Sequence, residues 1–312
     1  MPTTCYCAAA ALSLTLLAPV STTPQDGDKK VFVTVLGSDG APVEGLTNDH
    51  FAVRESGKDC QVLKTEPLRV PMHVAVLVDT SSVDGVPDET LRSSVVDFVG
   101  RLAAFNQVAL YSFGDRAAAV VSFTNDAARL RAAATGIFGW SHQRSLLVDA
   151  VDLALRDMER IESPRPVIVA ITSENPEASG RTAGGVIKRL IAQSTAFHVV
   201  SVGGVSGSGA TRMSRDIPTN SQRLGGMIAK GEGDREREQL LRQGTASTGG
   251  GRHMLTSVMA LRPALNRLAG EFGGGYLVTF ARRGSDRVKD LQVGIMVDGV
   301  TLRATPAPYS TR

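Results

Sequence analysis

The chain has 312 residues, of which 42% are hydrophobic and 21% are charged, and its formal net charge is +3. This length suggests about two domains, and this apolar fraction is sufficient for a packed core. Acidic and basic residues alternate along most of the chain, whereas a nucleic-acid-binding protein concentrates Lys and Arg on one face or in one run. We therefore expect no nucleic-acid partner.

Residues 1–24 have the pattern of an export signal. The apolar stretch from Ala8 to Val20 is followed by the polar segment from Ser21 to Asp28, and it is too short to span a bilayer. The pattern lacks a Lys or Arg before the apolar stretch and an A-x-A sequence after it, so the alternative is a disordered or mis-started N-terminus. We expect a secreted or periplasmic protein with no membrane span after removal of the signal.

Cys60 is the cysteine that remains after removal of such a signal, because Cys5 and Cys7 lie within it. A single thiol cannot form an internal disulfide. Cys60 lies in the strand-like run from Cys60 to Leu63, and we expect it to be a small buried hydrophobic residue.

Residues 29–68 are predicted to form an N-terminal β segment. Val31 to Leu36 is apolar and largely β-branched, and Ser38 to Gly40 has the composition of a turn. Phe51 and Val53 alternate with more polar neighbours, as in a second strand. A β unit of this size is too small to be stable alone.

Residues 72–281 are predicted to form an α/β domain with a doubly wound, mostly parallel sheet. Continuous apolar runs, typical of strands buried on both faces, occur at Val74–Val78, Val108–Phe113, Val167–Ile171 and Phe197–Val202. Apolar residues at helical spacing lie between these runs, for example Leu147, Val151, Leu155 and Met158. Alternating strands and helices favour this architecture.

Two further segments complete the predicted organisation. Residues 203–233 are rich in Gly, Ser and Arg and are predicted to be a long flexible loop within the α/β domain. Residues 282–312 are predicted to contain strands, because Leu291, Val293 and Ile295 share one face and Asp298-Gly299 forms a hairpin turn. We expect these strands to pair with residues 29–68, since each β fragment is too short to bury a core alone.

The candidate site residues lie where predicted strands end. Asp79 and Ser81 follow the first buried strand, Ser145 precedes the helix that contains Leu147, and Ser173 follows the run ending at Ile171. Ligands of an open parallel sheet bind at the carboxyl ends of its strands, and one carboxylate with several hydroxyls suits Mg²⁺ or Ca²⁺. The alternative is that Asp79 and Ser81 only stabilise their loop through local hydrogen bonds.

Asp79-Thr80-Ser81-Ser82 resembles the start of the D-x-S-x-S motif of von Willebrand factor A (VWA) domains. Ser145 to Ala150 resembles the segment in which that family has a Thr ligand, and Thr172-Ser173-Glu174 stands where it usually has Thr-Asp-Gly. The flanks resemble the exported bacterial VWFA-related (acidobacterial-type) family at Gly45-Leu46-Thr47, Phe51-Ala52-Val53, Glu55-Ser56-Gly57-Lys58 and from Leu268 to Val278. The resemblance implies a Rossmann-like VWA fold with a metal-ion-dependent adhesion site (MIDAS).

Departures from the family pattern imply that this MIDAS is degenerate. Val83 stands where the motif has a further hydroxyl, and Ser173 stands where a second Asp is expected. Losing a ligand and a charge weakens the affinity of a site for a hard cation. Glu174 compensates for the missing Asp only in part, because a side chain shifted by one residue at the end of a strand points in another direction. We expect no cofactor and only weak Mg²⁺ or Ca²⁺ binding by Asp79, Ser81, Ser145 and Ser173.

Trp140, His142, Arg144 and Glu174 lie near the same predicted edge and are candidate contacts for a partner protein, with loop packing as the alternative. The sequence contains no local His pair, no G-x-S-x-G and no phosphate-binding loop. It therefore predicts an exported, adhesion-type protein-binding module that is not an enzyme. A structural or assembly role at the cell envelope shares every one of these features. A metal-dependent hydrolytic enzyme using Asp79 is a third alternative, which lacks a base, a nucleophile and a complete metal shell.

Overall fold

The computed structural model describes residues 28–81, 89–137, 144–173, 175–203, 231–281 and 291–306. The predicted signal at 1–24, with Cys5 and Cys7, lies outside the described residues, as does most of the predicted loop 203–233. Val83 and three of the candidate partner contacts, Trp140, His142 and Glu174, also lie outside them.

A six-stranded sheet forms the centre of the molecule. Its strands are β5 (His73–Asp79), β6 (Gln107–Phe113), β7 (Ala117–Thr124), β8 (Pro166–Thr172), β9 (Ala196–Val202) and β10 (Arg252–Leu255). Their spatial order is β10-β9-β8-β5-β6-β7, and every neighbouring pair is parallel except β6 and β7. The predicted doubly wound, mostly parallel sheet is therefore confirmed.

Helices cover both faces of this sheet and form two separate apolar cores with it. On one face lie α1 (Glu89–Leu102), α2 (Ala127–Gly136) and α7 (Leu261–Gly273). On the other face lie α3 (Leu147–Arg160), α4 (Ala183–Ala192) and a third, continuous helical segment. This segment consists of α5 (residues 231–239), a π-helical turn (Leu240–Gly244) and α6 (Thr245–Thr248). None of the helices within the described ranges is long and apolar enough to cross a membrane.

The N- and C-terminal strands form a small β unit, as the predicted fold class requires. One antiparallel sheet has the order β13-β1-β11-β4, and a second has the order β12-β2-β3. These strands are β1 (Lys29–Leu36), β2 (Phe51–Glu55), β3 (Lys58–Cys60), β4 (Val62–Pro67), β11 (Tyr276–Phe280), β12 (Leu291–Ile295) and β13 (Thr301–Pro306). The two sheets share one apolar core, which includes Val33, Phe51 and Val278. Each terminal segment thus supplies the apolar face that the other lacks.

The β unit packs against the amino ends of the central strands. Thr305 Oγ1 in β13 donates a hydrogen bond to the Thr248 carbonyl oxygen at 2.6 Å, and the Arg303 guanidinium pairs with the Glu271 carboxylate of α7 at 2.7 Å. The carboxyl ends of the same parallel strands lie at the opposite edge of the sheet, away from the β unit.

Two details differ from the sequence-based expectations. Cys60 is half-buried, which corrects the prediction of a buried side chain, because it ends the short edge strand β3. The predicted strand from Cys60 to Leu63 is divided at Gln61, after which β4 begins at Val62 and joins the other sheet. The edge strands β7 and β10 were not predicted.

Candidate functional site

The carboxyl ends of β5 and β8 bring three of the predicted site residues together. Asp79 ends β5, and Thr172 ends the neighbouring parallel strand β8, in which Ile171 pairs with Val78. The loops that follow these two strands therefore leave the sheet side by side. Ser81 lies on the first loop and Ser173 on the second.

The Asp79 carboxylate joins these two loops through hydrogen bonds. Its Oδ1 accepts from the Ser81 backbone N–H at 2.9 Å and from the Ser81 hydroxyl. Its Oδ2 accepts from Thr172 Oγ1 at 3.2 Å, from the Ser173 backbone N–H at 3.0 Å and from Ser173 Oγ at 2.8 Å. Asp79 is only 5% exposed. Both carboxylate oxygens are thus occupied by donors from the protein itself.

Asn175 occupies the space between the two serine hydroxyls, and sequence reasoning gave it no role. Its Nδ2 donates to Ser81 Oγ at 2.8 Å, to Ser173 Oγ at 2.9 Å and to the Ser81 carbonyl oxygen at 3.1 Å. A carbonyl oxygen only accepts hydrogen bonds, so the amide must turn its N–H groups toward the serines. A hydrogen-bond donor therefore faces both hydroxyls that were predicted to hold a cation.

Arg237 is a second residue that sequence reasoning missed. It lies on α5 and reaches under the loop after β8, where it is 8% exposed. Its Nη1 donates to the Asn175 carbonyl oxygen at 2.8 Å, and its Nη2 donates to Thr172 Oγ1 at 3.0 Å and to the Ser173 carbonyl oxygen. The guanidinium thus places a fixed positive charge behind the loop, linked to Asp79 through the Thr172 hydroxyl.

Ser145 reaches the same edge of the sheet through its backbone. Its N–H donates to the Pro176 carbonyl oxygen and its carbonyl oxygen accepts from the Ala178 N–H, both at 2.9 Å. The Ser145 side chain is fully buried, and its Oγ has no hydrogen-bond partner among the described residues. Ser145 is therefore attached to the loop that carries Ser173, but its hydroxyl makes no hydrogen bond to Asp79.

Glu177 fixes the start of α3 beside this loop. Its Oε2 accepts from the Leu147 N–H at 3.2 Å and its Oε1 from the Ser179 N–H at 3.0 Å. Burial raises the pKa of the Glu177 carboxyl, although these hydrogen bonds and the nearby Arg237 act in the opposite direction. A carboxylate that accepts from the first N–H of a helix is a capping group. Glu177 therefore has a structural role in holding Ser145 and α3 against the loop.

The donor set does not fit a divalent cation. Mg²⁺ and Ca²⁺ need about six or more oxygen ligands, including carboxylates. Among the described residues of this network, Asp79 supplies the carboxylate, and the amide of Asn175 directs N–H groups toward the two nearest hydroxyls. Within the described ranges, no three His, Cys, Asp or Glu side chains are grouped so that they could hold a metal ion. The unpartnered Ser145 hydroxyl, in contrast, favours an additional ligand.

The topology of the central sheet and the position of the Asp79 network together define the fold. One edge strand, β7, runs against five parallel strands, helices lie on both faces, and Asp79 and Ser81 meet Thr172 and Ser173 at the carboxyl edge. The fold is that of a von Willebrand factor A domain. The predicted membership of the acidobacterial-type branch stays a prediction.

Several solved structures are similar to this chain, and no protein-family model and no curated protein matches its sequence. BatB from Bacteroides thetaiotaomicron is 17% identical over 64% of this chain and 98% of its own, with a TM-score of 0.43. A von Willebrand factor type A protein from Catenulispora acidiphila is 9% identical over 90% of this chain and 73% of its own, with a TM-score of 0.46. Proximal thread matrix protein 1 from the mussel byssus, solved with zinc in its MIDAS motif, is 12% identical over 70% of this chain and 50% of its own, with a TM-score of 0.46.

Proposed function

We propose that this chain is an exported, adhesion-type VWA module that binds a partner protein at the carboxyl edge of its central sheet without a tightly bound metal ion. Export is supported by the apolar stretch from Ala8 to Val20. Partner binding at this edge is supported by the rule that ligands of open parallel sheets bind where the strands end.

The observation that carries the proposal is the hydrogen-bond network around Asp79. In a cation site, the carboxylate and the hydroxyls present lone pairs to the ion. Here the same atoms bind protein donors, with Asn175 between the serines and Arg237 behind the loop. The amide and the guanidinium supply the positive potential that an ion would supply, so the MIDAS is degenerate and the loops are held without it.

A hydrolytic enzyme is a less favourable interpretation of the same residues. A general base must present a free lone pair within hydrogen-bond reach of the proton that it abstracts. Both Asp79 oxygens already accept from internal donors. A structural or assembly role at the cell envelope is the alternative to partner capture. Identification of the bound molecule distinguishes these two functions.

Calorimetric titration with Mg²⁺, Mn²⁺ and Ca²⁺ tests the metal-independent part of the proposal. We expect no heat of binding from the full-length protein at micromolar ion concentrations. Micromolar binding that disappears in Asp79→Ala would contradict the proposal, because the carboxylate would then be a metal ligand.

Site-specific photo-crosslinking tests partner binding at the carboxyl edge. Arg144 is exposed at this edge, and Phe105 is 85% exposed in the turn that leads into the amino end of β6. A photoreactive residue at position 144 is expected to give one discrete adduct in the native envelope fraction, in EDTA as in Mg²⁺, and the same residue at position 105 is expected to give none. An adduct that requires Mg²⁺, or that forms only from position 105, would contradict the proposal.

A further inference from the structure

A small cavity lies between the β unit and the amino edge of the central sheet, opposite the Asp79 network. Its volume is about 40 Å³. The β unit contributes Phe32, Thr34 and Arg303 to its wall, and the α/β domain contributes Arg165, His198 and Glu271 among others. The cavity therefore lies at the junction of the two parts of the molecule.

Arg165 is the unusual residue of this cavity. It is 9% exposed, and its guanidinium has no hydrogen-bond acceptor or ion-pair partner in the described part of the chain. Its contact with the Phe32 ring, at 5.7 Å from the guanidinium carbon to the ring centroid, replaces only part of the lost hydration. A buried charge without a partner is costly, so such groups are normally paired.

Other buried charges of the described residues follow that rule. The Asp152 carboxylate binds Arg181 at 2.7 Å, Glu271 binds Arg303 at 2.7 Å, and the Arg237 guanidinium donates to oxygens of the loop after β8. Arg165 is thus distinguished by its unfilled hydrogen-bonding capacity and by its position on a cavity wall.

The charges around the cavity leave an excess of one positive charge. Arg165 and Arg303 are cationic, and Glu271 supplies one compensating carboxylate. His198 adds no charge near neutral pH, because burial, together with nearby Arg303, His253 and Arg165, lowers its pKa to about 3. One additional negative charge would balance the cavity wall.

We propose that this cavity binds a small monoanion, no larger than acetate, beside the Arg165 guanidinium. A cavity needs roughly 10–15 Å³ for each water molecule, so 40 Å³ accommodates about three waters or one ion of chloride, formate or acetate size. A carboxylate matches the two parallel N–H donors of a guanidinium, and chloride offers the same charge without that geometry. The anion would fill the junction and strengthen the packing of the β unit on the α/β domain.

Thermal unfolding of the full-length protein in different anions tests the proposal. At constant ionic strength, replacing gluconate by formate, acetate or chloride is expected to raise Tm by roughly 5 °C, with saturation, because a ligand that binds only the folded state stabilises it. Arg165→Met is expected to abolish this anion dependence. Arg160→Met, which removes an exposed arginine paired with Asp157, is the matched control and is expected to retain it.

Two outcomes of the thermal experiment would overturn the proposal. The first is an equal Tm in gluconate and in the small anions, and the second is an anion-dependent Tm that survives in Arg165→Met. Line broadening of the ³⁵Cl nuclear resonance gives a measurement that does not depend on how the variant folds. The full-length protein is expected to broaden the chloride signal saturably and formate to reverse this, and absence of such broadening would also reject the site.

Discussion

Replacement of Asp79 by Ala tests whether the carboxylate acts as part of an internal hydrogen-bond network or as a metal ligand. The change removes the acceptor of five hydrogen bonds. The hydroxyls of Ser81, Thr172 and Ser173 can rotate toward other acceptors, but the Ser81 and Ser173 backbone N–H groups cannot. Each buried N–H left without an acceptor costs roughly 1–3 kcal/mol, so we expect a loss of about 3 kcal/mol in the free energy of unfolding.

Urea denaturation in EDTA and in millimolar Mg²⁺ measures this loss. The expected loss is the same in both solutions, and it corresponds to a fall in Tm of roughly 6–12 °C for a domain of this size. Asp59→Ala is the control, because Asp59 is exposed and pairs with Arg54 at the surface, where an ion pair contributes less than about 1 kcal/mol. If Asp79→Ala costs under roughly 0.5 kcal/mol in EDTA but several in Mg²⁺, the network is not what holds the loops and the metal interpretation is correct.

Three further predictions concern Asn175 and Arg237 in the Asp79 network and His198 at the opposite edge of the sheet. Asn175→Asp places a second carboxylate against Ser81 and Ser173. We therefore expect calorimetry to detect Mg²⁺ binding that the unaltered chain lacks. No heat of Mg²⁺ binding to a folded variant would count against the degenerate-site argument. Arg237→Met leaves one buried and two partly buried acceptors without their donor. It is expected to cost about 3 kcal/mol in urea denaturation, against no measurable change for exposed Arg160→Met. The pKa of His198 is lowered to about 3 in the folded state, so unfolding takes up a proton below about pH 6.5 and stability is expected to fall by about 2 kcal/mol between pH 8 and pH 5. His198→Asn, whose Oδ1 can accept from the Gly251 N–H as the Nδ1 of His198 does, is expected to lose this part of the pH dependence, and an unchanged slope would refute the assignment.

The central strands could be predicted from the sequence because consecutive residues in them are buried. All seven residues of β8 and six of the seven in β5 are buried, and such strands appear as uninterrupted apolar runs. The edge strands lack this signal. In β7 only Val121 is buried, and β10 is four residues long with no buried residue. Their pairing depends on contacts with the neighbouring strand, and the local sequence of an edge strand does not show those contacts.

Only those residues of the candidate site whose position follows from the sheet topology could be predicted from the sequence. Asp79, Ser81 and Ser173 meet because they follow neighbouring parallel strands, and this rule needs only the strand assignment. Arg237 enters the same network from 62 residues beyond Asn175, and no spacing motif connects a helical arginine with a loop amide at that distance. These two residues, which the sequence did not predict, direct hydrogen-bond donors toward the hydroxyl oxygens of Ser81, Ser173 and Thr172.

The proposed partner contacts can be located from the hydrogen bonds of the Asp79 network. A buried group whose hydrogen bonds are all made inside the protein gains little by exchanging them for bonds to a partner. Both oxygens of the Asp79 carboxylate are in that position, so under the proposed function we expect the partner contacts to lie outside the Asp79 network. Exposed residues on the surrounding loops, such as Arg144, Ala178 and Arg181, remain accessible. Under the proposed function, recognition at this edge then depends on surface side chains that the Asp79 network positions.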